Sequence, residues 1–124
     1  MAQLRPHVPA DRFVAQVRRQ FTQGYRLVCL HDDAGVVRAA AGYRIYENLV
    51  RGRHLYVDDL VTDAACRSAG HGAALMNWLI EQAQTHACTH LELDSGVQRF
   101  DAHRFYFRQR MTIASYHFTL PLNT

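Results

Sequence analysis

The sequence has 124 residues, of which 48% are hydrophobic and 20% charged, and its formal net charge at pH 7 is +3. This length suits one compact core, so we predict a single domain over residues 1–124. No apolar run approaches the roughly 18 residues that cross a bilayer, and polar residues stand where a signal peptide would be apolar, so we expect a cytoplasmic protein without a membrane partner. The cysteines lack a CxxC spacing, which disfavours a disulfide framework or a zinc site: Cys29, Cys66, Cys88.

The first half of the sequence predicts one helix and three strands. Apolar residues at helical spacing predict a helix over residues 11–23, with Asp11 as its N-cap and Gly24 at its end. A short apolar run predicts a strand over residues 25–31, and apolar alternation predicts strands over residues 36–46 and 54–62. Short turns between these strands indicate an antiparallel meander. On the third strand, strict alternation puts Leu55, Val57 and Val61 on one face and Tyr56, Asp58 and Leu60 on the other.

The second half predicts a change of architecture. A long amphipathic helix over residues 72–87 precedes a strand over residues 90–94, which completes a βαβ unit with parallel strands. A second amphipathic helix is predicted over residues 100–110, and a final strand over residues 112–120. The predicted fold class is therefore α/β with a mixed sheet: an antiparallel meander, one parallel pair, and helices on both faces.

A glycine-bearing turn joins the third strand to the long helix. Gly70 and Gly72 let the backbone adopt positive φ and approach a ligand, while the free N–H groups of the helix's first turn point toward it. Arg67 can add a charge-assisted contact, so the loop predicts an anion site that suits a diphosphate. A Walker loop would need Lys before Ser or Thr where Ala73-Ala74 stand, and a dinucleotide-binding loop would not follow a meander.

The motif Arg67-x-x-Gly70-x-Gly72, followed by a helix, a strand and the Ala102-x-x-Phe105-Tyr106 helix, resembles the GNAT N-acetyltransferase superfamily, as a short member of bacterial type. The resemblance covers nearly the whole chain and implies acetyl-CoA as the co-substrate. In the family, backbone groups of the strand before the loop bind the pantetheine arm, which carries over to Leu60, Val61 and Thr62. The family's pyrophosphate-binding backbone, beside Arg67 in the Arg/Gln position, carries over to Ser68, Ala69, Gly70, His71, Gly72 and Ala73.

The resemblance implies transfer of an acetyl group from the thioester to a primary amine in a ternary complex. A base must first remove a proton from the ammonium group. Alternation sends the side chains of Asp58 and Asp59 to opposite faces, so at most one faces the cleft; the resemblance favours Asp58, with Asp59 or a water as alternatives. Tyr106 occupies the place of the family tyrosine that protonates the departing CoA thiolate, and a backbone N–H at Val61 or Thr62 would hold the oxyanion.

Three departures from the family pattern carry structural expectations. Only ten residues precede the first helix, so the family's first strand is missing and the strand at residues 25–31 becomes a sheet edge. We expect the N-terminal residues or a partner subunit of a homodimer to cover that edge. Arg99 replaces an Asn that contacts CoA in the family. Arg110-Met111 replace Gly-Phe, so the turn after the last helix must form without glycine.

Other functions stay open at this point. A non-catalytic acyl-CoA-binding or regulatory module would keep the loop and lack a working acceptor site. Arginines between aromatic residues in the segment 99–110 would suit nucleic acid, although a helix with one core face and one basic face explains them as well. His86 and His90 need not share a helix face, so no metal site is predicted. Asp94 and Ser95 could touch the acceptor, whose identity the sequence does not reveal.

Overall fold

A computed structural model describes residues 1–64 and 69–122 of the chain, which forms two compact units, Met1–Leu93 and Asp94–Thr124. The first unit contains α1 (Ala10–Phe21), β1 (Arg26–His31), β2 (Val37–Asn48), β3 (Gly52–Thr62), α2 (His71–Thr85) and β4 (His90–Leu93). The second unit contains α3 (Phe100–Arg108). Among the described residues, no helix is long and apolar enough to span a membrane.

The four strands form one mixed sheet in the order β1-β2-β3-β4. The β1·β2 and β2·β3 pairs are antiparallel, as expected for strands joined by short turns. The β3·β4 pair is parallel and is connected through α2, so the predicted meander, βαβ unit and α/β class are confirmed.

The core lies between α2 and one face of the sheet. Helical spacing brings four α2 side chains to this face: Leu75, Met76, Leu79 and Ala83. Opposite them, β2 and β3 present small and branched residues, so that helix and sheet approach closely: Ala39, Ala41, Leu55 and Val57. Trp78 closes the edge of the cluster, with its ring 5.9 Å from that of Tyr43 in an edge-to-face contact. On the other face of the sheet, Arg44 and Asp58 line a cavity together with residues of α1.

Three helix ends use a left-handed residue. Gly24, with φ of 93°, follows α1, and the Tyr25 N–H donates back to the Gln20 carbonyl, as in a Schellman motif. Ala87 (φ 58°) follows α2 in the same way, and Arg110 (φ 65°) follows α3. Arg110 therefore makes the turn that the sequence required without glycine.

The start of α1 differs from the prediction. Pro9 is the N-cap, no side chain caps the helix, and Asp11 lies inside the first turn. Proline supplies the extended backbone that the cap position needs, so the helix begins before Asp11, and the acidic side chain instead complements the positive end of the helix dipole. The expectation that Asp11 caps α1 is wrong.

The final strand predicted over residues 112–120 is also absent from the described residues, because residues 112–122 form neither helix nor strand. A strand requires a neighbour that accepts and donates its backbone hydrogen bonds, and in the described part of the chain residues 112–122 pair with none of the strands β1 to β4. The alternating apolar residues of this segment are exposed: Tyr116 84%, Phe118 91%, Leu120 81% and Leu122 78%.

β1 is an edge strand of the sheet, as predicted. The N-terminal residues do not form a strand, and their side chains bond to β3 and the residues after it. Gln3 bonds to Asp63 and Ala64, and Arg5 bonds to Asp59. These bonds give no support to the N-terminal residues as a cover for β1, so the partner subunit remains the prediction.

Candidate active site

A β-bulge in β3 brings two carboxylates to one face of the sheet. The ladder pairs Asp59 with Gly42 and Val57 with Tyr43, which leaves Asp58 as an extra residue between them. A bulge of this kind shifts the alternation of side chains by one residue. Asp59 therefore lies on the same face as Asp58, so the expectation that alternation sends the two side chains to opposite faces is wrong.

Asp58 is held by Arg44 on the neighbouring strand. The Arg44 Nε and Nη2 atoms donate to the two carboxylate oxygens of Asp58 at 2.8 and 2.9 Å. The guanidinium carbon lies 5.0 Å from the Tyr46 ring centre and 5.3 Å from that of Tyr56, so cation–π contacts fix it as well. The hydrogen bond to Asp58 raises the pKa of Arg44, which stays charged. Each carboxylate oxygen of Asp58 can accept one further hydrogen bond.

Asp59 is held from two sides. The Tyr25 hydroxyl donates to Asp59 Oδ2 at 2.7 Å, and Arg5 Nε donates to Asp59 Oδ1 at 2.9 Å. Burial, the hydrogen bond to Asp59 and the charges of Asp59 and Asp58 raise the pKa of Tyr25 well above its ordinary value. Gly42 makes this arrangement possible, because a Cβ atom there would overlap the Tyr25 hydroxyl. Tyr25 therefore stays protonated and orients one carboxylate of the pair.

Asp58 and Asp59 together form an acidic corner of the sheet. An open cavity of about 450 Å³ adjoins this corner. Asp58, Arg44 and Tyr25 form its floor on the sheet, and α1 with its following turn supplies the wall. The wall residues are all polar: Gln16, Arg19, Gln20 and Gln23. The volume falls within the range of small-molecule sites, and the polar lining suits a hydrophilic ligand.

Beyond this corner, β3 continues without its parallel neighbour. Pairing with β4 covers His54–Val57, whereas β3 runs on to Thr62. Among the described residues, the backbone groups of residues 59–62 on the side away from β2 have no strand partner, so a ligand could bind to them. Because of the bulge, Leu60 and Val61 lie on the faces opposite to those predicted. Leu60 packs against the core beside α2, and Val61 lies on the other face of the sheet.

The start of α2 has the features of an anion site. Gly70 is the N-cap with φ of 82°, no side chain caps the helix, and its first turn carries no acidic residue. Ala74 is the first residue whose N–H bonds within the helix, to the Gly70 carbonyl at 3.1 Å. The preceding N–H groups of His71, Gly72 and Ala73 have no helical acceptor. Ala69 is exposed beside them, whereas Arg67 and Ser68 lie outside the described residues.

Tyr106 belongs to the second unit, on α3. It is half-buried, and its ring packs against that of Phe105 with the centres 5.6 Å apart. Burial raises the pKa of Tyr106, against an opposing effect of Arg99. The phenol therefore keeps its proton at neutral pH, which a general acid requires.

The remaining candidate residues are two histidines, Asp94 and Ser95. His86 Nδ1 contacts the Gln82 carbonyl, and His90 Nδ1 contacts the Thr89 hydroxyl. No group of metal-ligating side chains occurs in residues 1–64 and 69–122. Asp94 lies 3.5 Å from His117, and Ser95 Oγ is buried with no hydrogen-bond partner in the described part of the chain.

Several residues of the acidic corner were missed from the sequence. Tyr25, Arg44 and Arg5 lie far from Asp58 and Asp59 along the chain, and only strand register brings them together. One signal was present: Gly42 follows three alanines inside the predicted strand over residues 36–46, and a glycine inside a strand often marks a bulge or a close approach.

The described residues thus combine a mixed sheet, in which β3 extends beyond its parallel partner β4, with a helix that begins at a glycine and has no side-chain cap. The sequence matches the profile of the "Acetyltransferase (GNAT) family" over residues 3–111. The chain belongs to this family and is an acetyltransferase with an acyl-CoA donor.

The chain resembles known proteins over almost its whole length. It is 33% identical over 124 residues to the "Uncharacterized N-acetyltransferase YhdJ" of Bacillus subtilis (strain 168), covering 98% of this chain and 87% of the relative. Among solved structures, the aminoglycoside antibiotic 6'-N-acetyltransferase AAC(6')-Ih from Acinetobacter baumannii has a TM-score of 0.82 at 16% identity. The match covers 99% of this chain and 86% of that structure. AAC(6')-Iy in complex with the bisubstrate analog CoA-S-monomethyl-acetylneamine has a TM-score of 0.84 at 14% identity, with the same coverage. At such identities the two structures establish the fold alone.

Proposed function

We propose that the protein transfers the acetyl group of acetyl-CoA to a primary amine by direct attack within a ternary complex. The observation that carries this proposal is the position of Asp58: it lines the open cavity on one side and begins the unpaired end of β3 on the other. An amine in the cavity and a thioester along β3 would therefore meet at this residue. Direct transfer needs such a meeting point, because the two reactants must be held in contact.

The donor would lie along the separated strand and the start of α2. Backbone groups of Leu60, Val61 and Thr62 would bind the pantetheine arm, and the free N–H groups of residues 69–73 would bind the pyrophosphate. Within residues 1–64 and 69–122, no atom would contact a Cβ atom at Gly70, and the first turn of α2 contains no acidic residue; both observations support this assignment. Arg67 and Ser68 are proposed to complete the loop on the strength of the motif. A backbone N–H at Val61 or Thr62 would hold the oxyanion.

Asp58 is the proposed general base, directly or through a water. Its two oxygens accept hydrogen bonds from Arg44, which fix its orientation and leave acceptor directions toward the cavity. Asp59 is the alternative base, but it is held by Arg5 and Tyr25 and, unlike Asp58, is not among the described residues that line the cavity. Asp59 is therefore proposed as a positioning residue.

Tyr106 is the proposed general acid. As the C–S bond of the tetrahedral intermediate breaks, the phenolic proton would pass to the CoA thiolate, and the amide and free thiol would leave. Its raised pKa supports the protonated state that this step requires.

Thiol release and acceptor acetylation, measured together across a panel of primary amines, test the proposal. We expect Tyr106→Phe to lower kcat by about 10²–10⁴-fold, the usual contribution of a general acid, and to leave the affinity for acetyl-CoA unchanged. Asp58→Asn is expected to lower kcat/KM for the amine on a similar scale. Phe107→Leu, on the exposed side of the same helix, is the matched control and should keep its activity.

CoA binding measured by calorimetry separates the alternatives. Unchanged turnover in Tyr106→Phe would remove this residue from the mechanism. Tight CoA binding without acetylation of any amine would replace the proposed enzyme by a non-catalytic acyl-CoA-binding module.

A further inference from the structure

The charge of the open cavity constrains the ligand that it can accept. Both carboxylates beside it are already compensated, Asp58 by Arg44 and Asp59 by Arg5. Each pair is close to neutral in sum, so neither leaves a negative charge to attract a cation. A polycationic acceptor would thus lose its hydration without gaining an ionic partner.

Arg19 supplies a positive charge on the opposite wall. It lies on α1 and lines the cavity together with Asp58 on the sheet. Its backbone carbonyl accepts a hydrogen bond from Thr22, but its guanidinium has no ion-pair partner within residues 1–64 and 69–122. With Asp58 and Arg44 compensating each other, Arg19 leaves the cavity with an excess positive charge. Guanidinium groups bind carboxylates and phosphates in bidentate geometry.

The rest of the wall offers hydrogen bonds rather than apolar contact. Gln16, Gln20 and Gln23 each bring an amide that both donates and accepts, and Gln16 Nε2 already donates to Gln20 Oε1 at 3.1 Å. Such a wall suits a small hydrophilic molecule and penalises a hydrophobic amine, whose burial would leave these amides unpaired.

We propose that the acceptor is a small amine that also carries an anionic group, a carboxylate or a phosphate. Arg19 binds the anionic group, and the amine lies at the Asp58 end of the same cavity. This inference rests on the proposed function, since it names the class of acceptor for that site. It also sets this chain apart from the aminoglycoside acetyltransferases that share its fold, because it disfavours a polycationic acceptor.

Matched pairs of amines test the inference with the full-length protein and acetyl-CoA. β-Alanine is compared with propylamine, and O-phosphoethanolamine with ethanolamine, so that each pair differs by one anionic group. Spermidine represents polycations. We expect kcat/KM to be about tenfold or more higher for the anionic member of at least one pair, the scale of one charge-assisted hydrogen bond. The pair with the larger difference distinguishes carboxylate from phosphate recognition.

Arg19→Gln is expected to remove this preference through KM. It should lower kcat/KM for the anionic amine about tenfold and leave that of its neutral partner unchanged. Arg18→Gln, a neighbouring exposed arginine on the same helix that does not line the cavity, is the control and should change neither value. Raising the salt concentration should reduce the wild-type preference and leave the Arg19→Gln variant unaffected.

Binding to the CoA-saturated protein, measured by calorimetry with the same amines, keeps the inference testable without turnover. Arg19-dependent binding of an anionic amine without acetylation would support the inference while the proposed function fails. Equal or better use of the neutral amines or of spermidine would overturn the inference. So would a loss in Arg19→Gln that is equal for both members of a pair, or neither binding nor turnover of any anionic amine.

Discussion

The Tyr25 hydroxyl connects β1 to the acidic corner of β3. Tyr25 is 4% exposed, and its hydroxyl donates to Asp59 while its ring lies over Gly42. A hydrogen bond to a charged, partly buried acceptor stabilises a fold more than one between neutral groups. Tyr25 therefore contributes to the stability of the sheet and to the orientation of Asp59, and the two effects can be separated by substitution.

We predict that Tyr25→Phe lowers the free energy of unfolding by about 1–2 kcal/mol at pH 7, because Asp59 loses one of its two partners. The pKa of Tyr25 is raised in the folded protein, so its stabilising contribution is present below the unfolded pKa of about 10 and is lost as the pH rises above that value. Urea denaturation at pH 7 and above pH 10 should show the difference between wild type and variant becoming smaller at high pH.

Tyr116→Phe is the control for this measurement, since 84% of that side chain is exposed. It should change the free energy of unfolding at pH 7 by less than about 0.5 kcal/mol. Equal effects of the two substitutions would contradict the assigned role of the Tyr25 hydroxyl.

At the level of elements, local signals predicted the helices and the first four strands well. Helical spacing of apolar residues located α1, α2 and α3, and alternation located β1 to β4. The bulge at Asp58 was not predictable in this way, because a bulge depends on the register between two strands. One extra residue was enough to move Asp59 to the acidic corner and Leu60 into the core.

At the end of α2, an alanine occupies a backbone conformation that favours glycine. Ala87 occupies the left-handed position with φ of 58°, which costs a residue with a Cβ about 1–2 kcal/mol relative to glycine. Glycine loses more chain entropy on folding, which offsets part of this gain. We predict that Ala87→Gly raises the free energy of unfolding by about 0.5–1 kcal/mol in urea denaturation. Ala15→Gly, in the middle of α1, should lower the free energy of unfolding by about 1 kcal/mol. If Ala87→Gly lowered it as well, the backbone of Ala87 would not be strained.

At the scale of the whole molecule, the parallel pair and the start of α2 could be predicted from the sequence, because a glycine-bearing turn and a crossover helix are local signals. The open cavity could not, because it combines residues of α1 with others on β2 and β3. The final strand failed for a related reason. Alternation in residues 112–122 indicates a chain able to pair, but a strand also needs a partner edge, which local sequence does not specify.

The exposed C-terminal segment is the basis for predicting that the protein forms a dimer. Tyr116, Phe118, Leu120 and Leu122 alternate along it and are 78–91% exposed, and β1 presents a free sheet edge in the same chain. Surfaces of both kinds favour association, so we predict that this segment pairs with a second copy of the chain. Sedimentation velocity over a range of concentrations should show a dimer.

Burying Phe118 or Leu120 is worth about 1.5–3 kcal/mol each, so Phe118→Asp combined with Leu120→Asp should weaken the dimer by at least about a hundredfold. The control is Leu49→Asp combined with Val50→Asp, which changes two exposed apolar residues in the turn between β2 and β3 and should leave the dimer intact. A monomeric wild type at every concentration would exclude the pairing. A dimer that survives the C-terminal substitutions would place the contact elsewhere, with the free edge of β1 as the next surface to substitute.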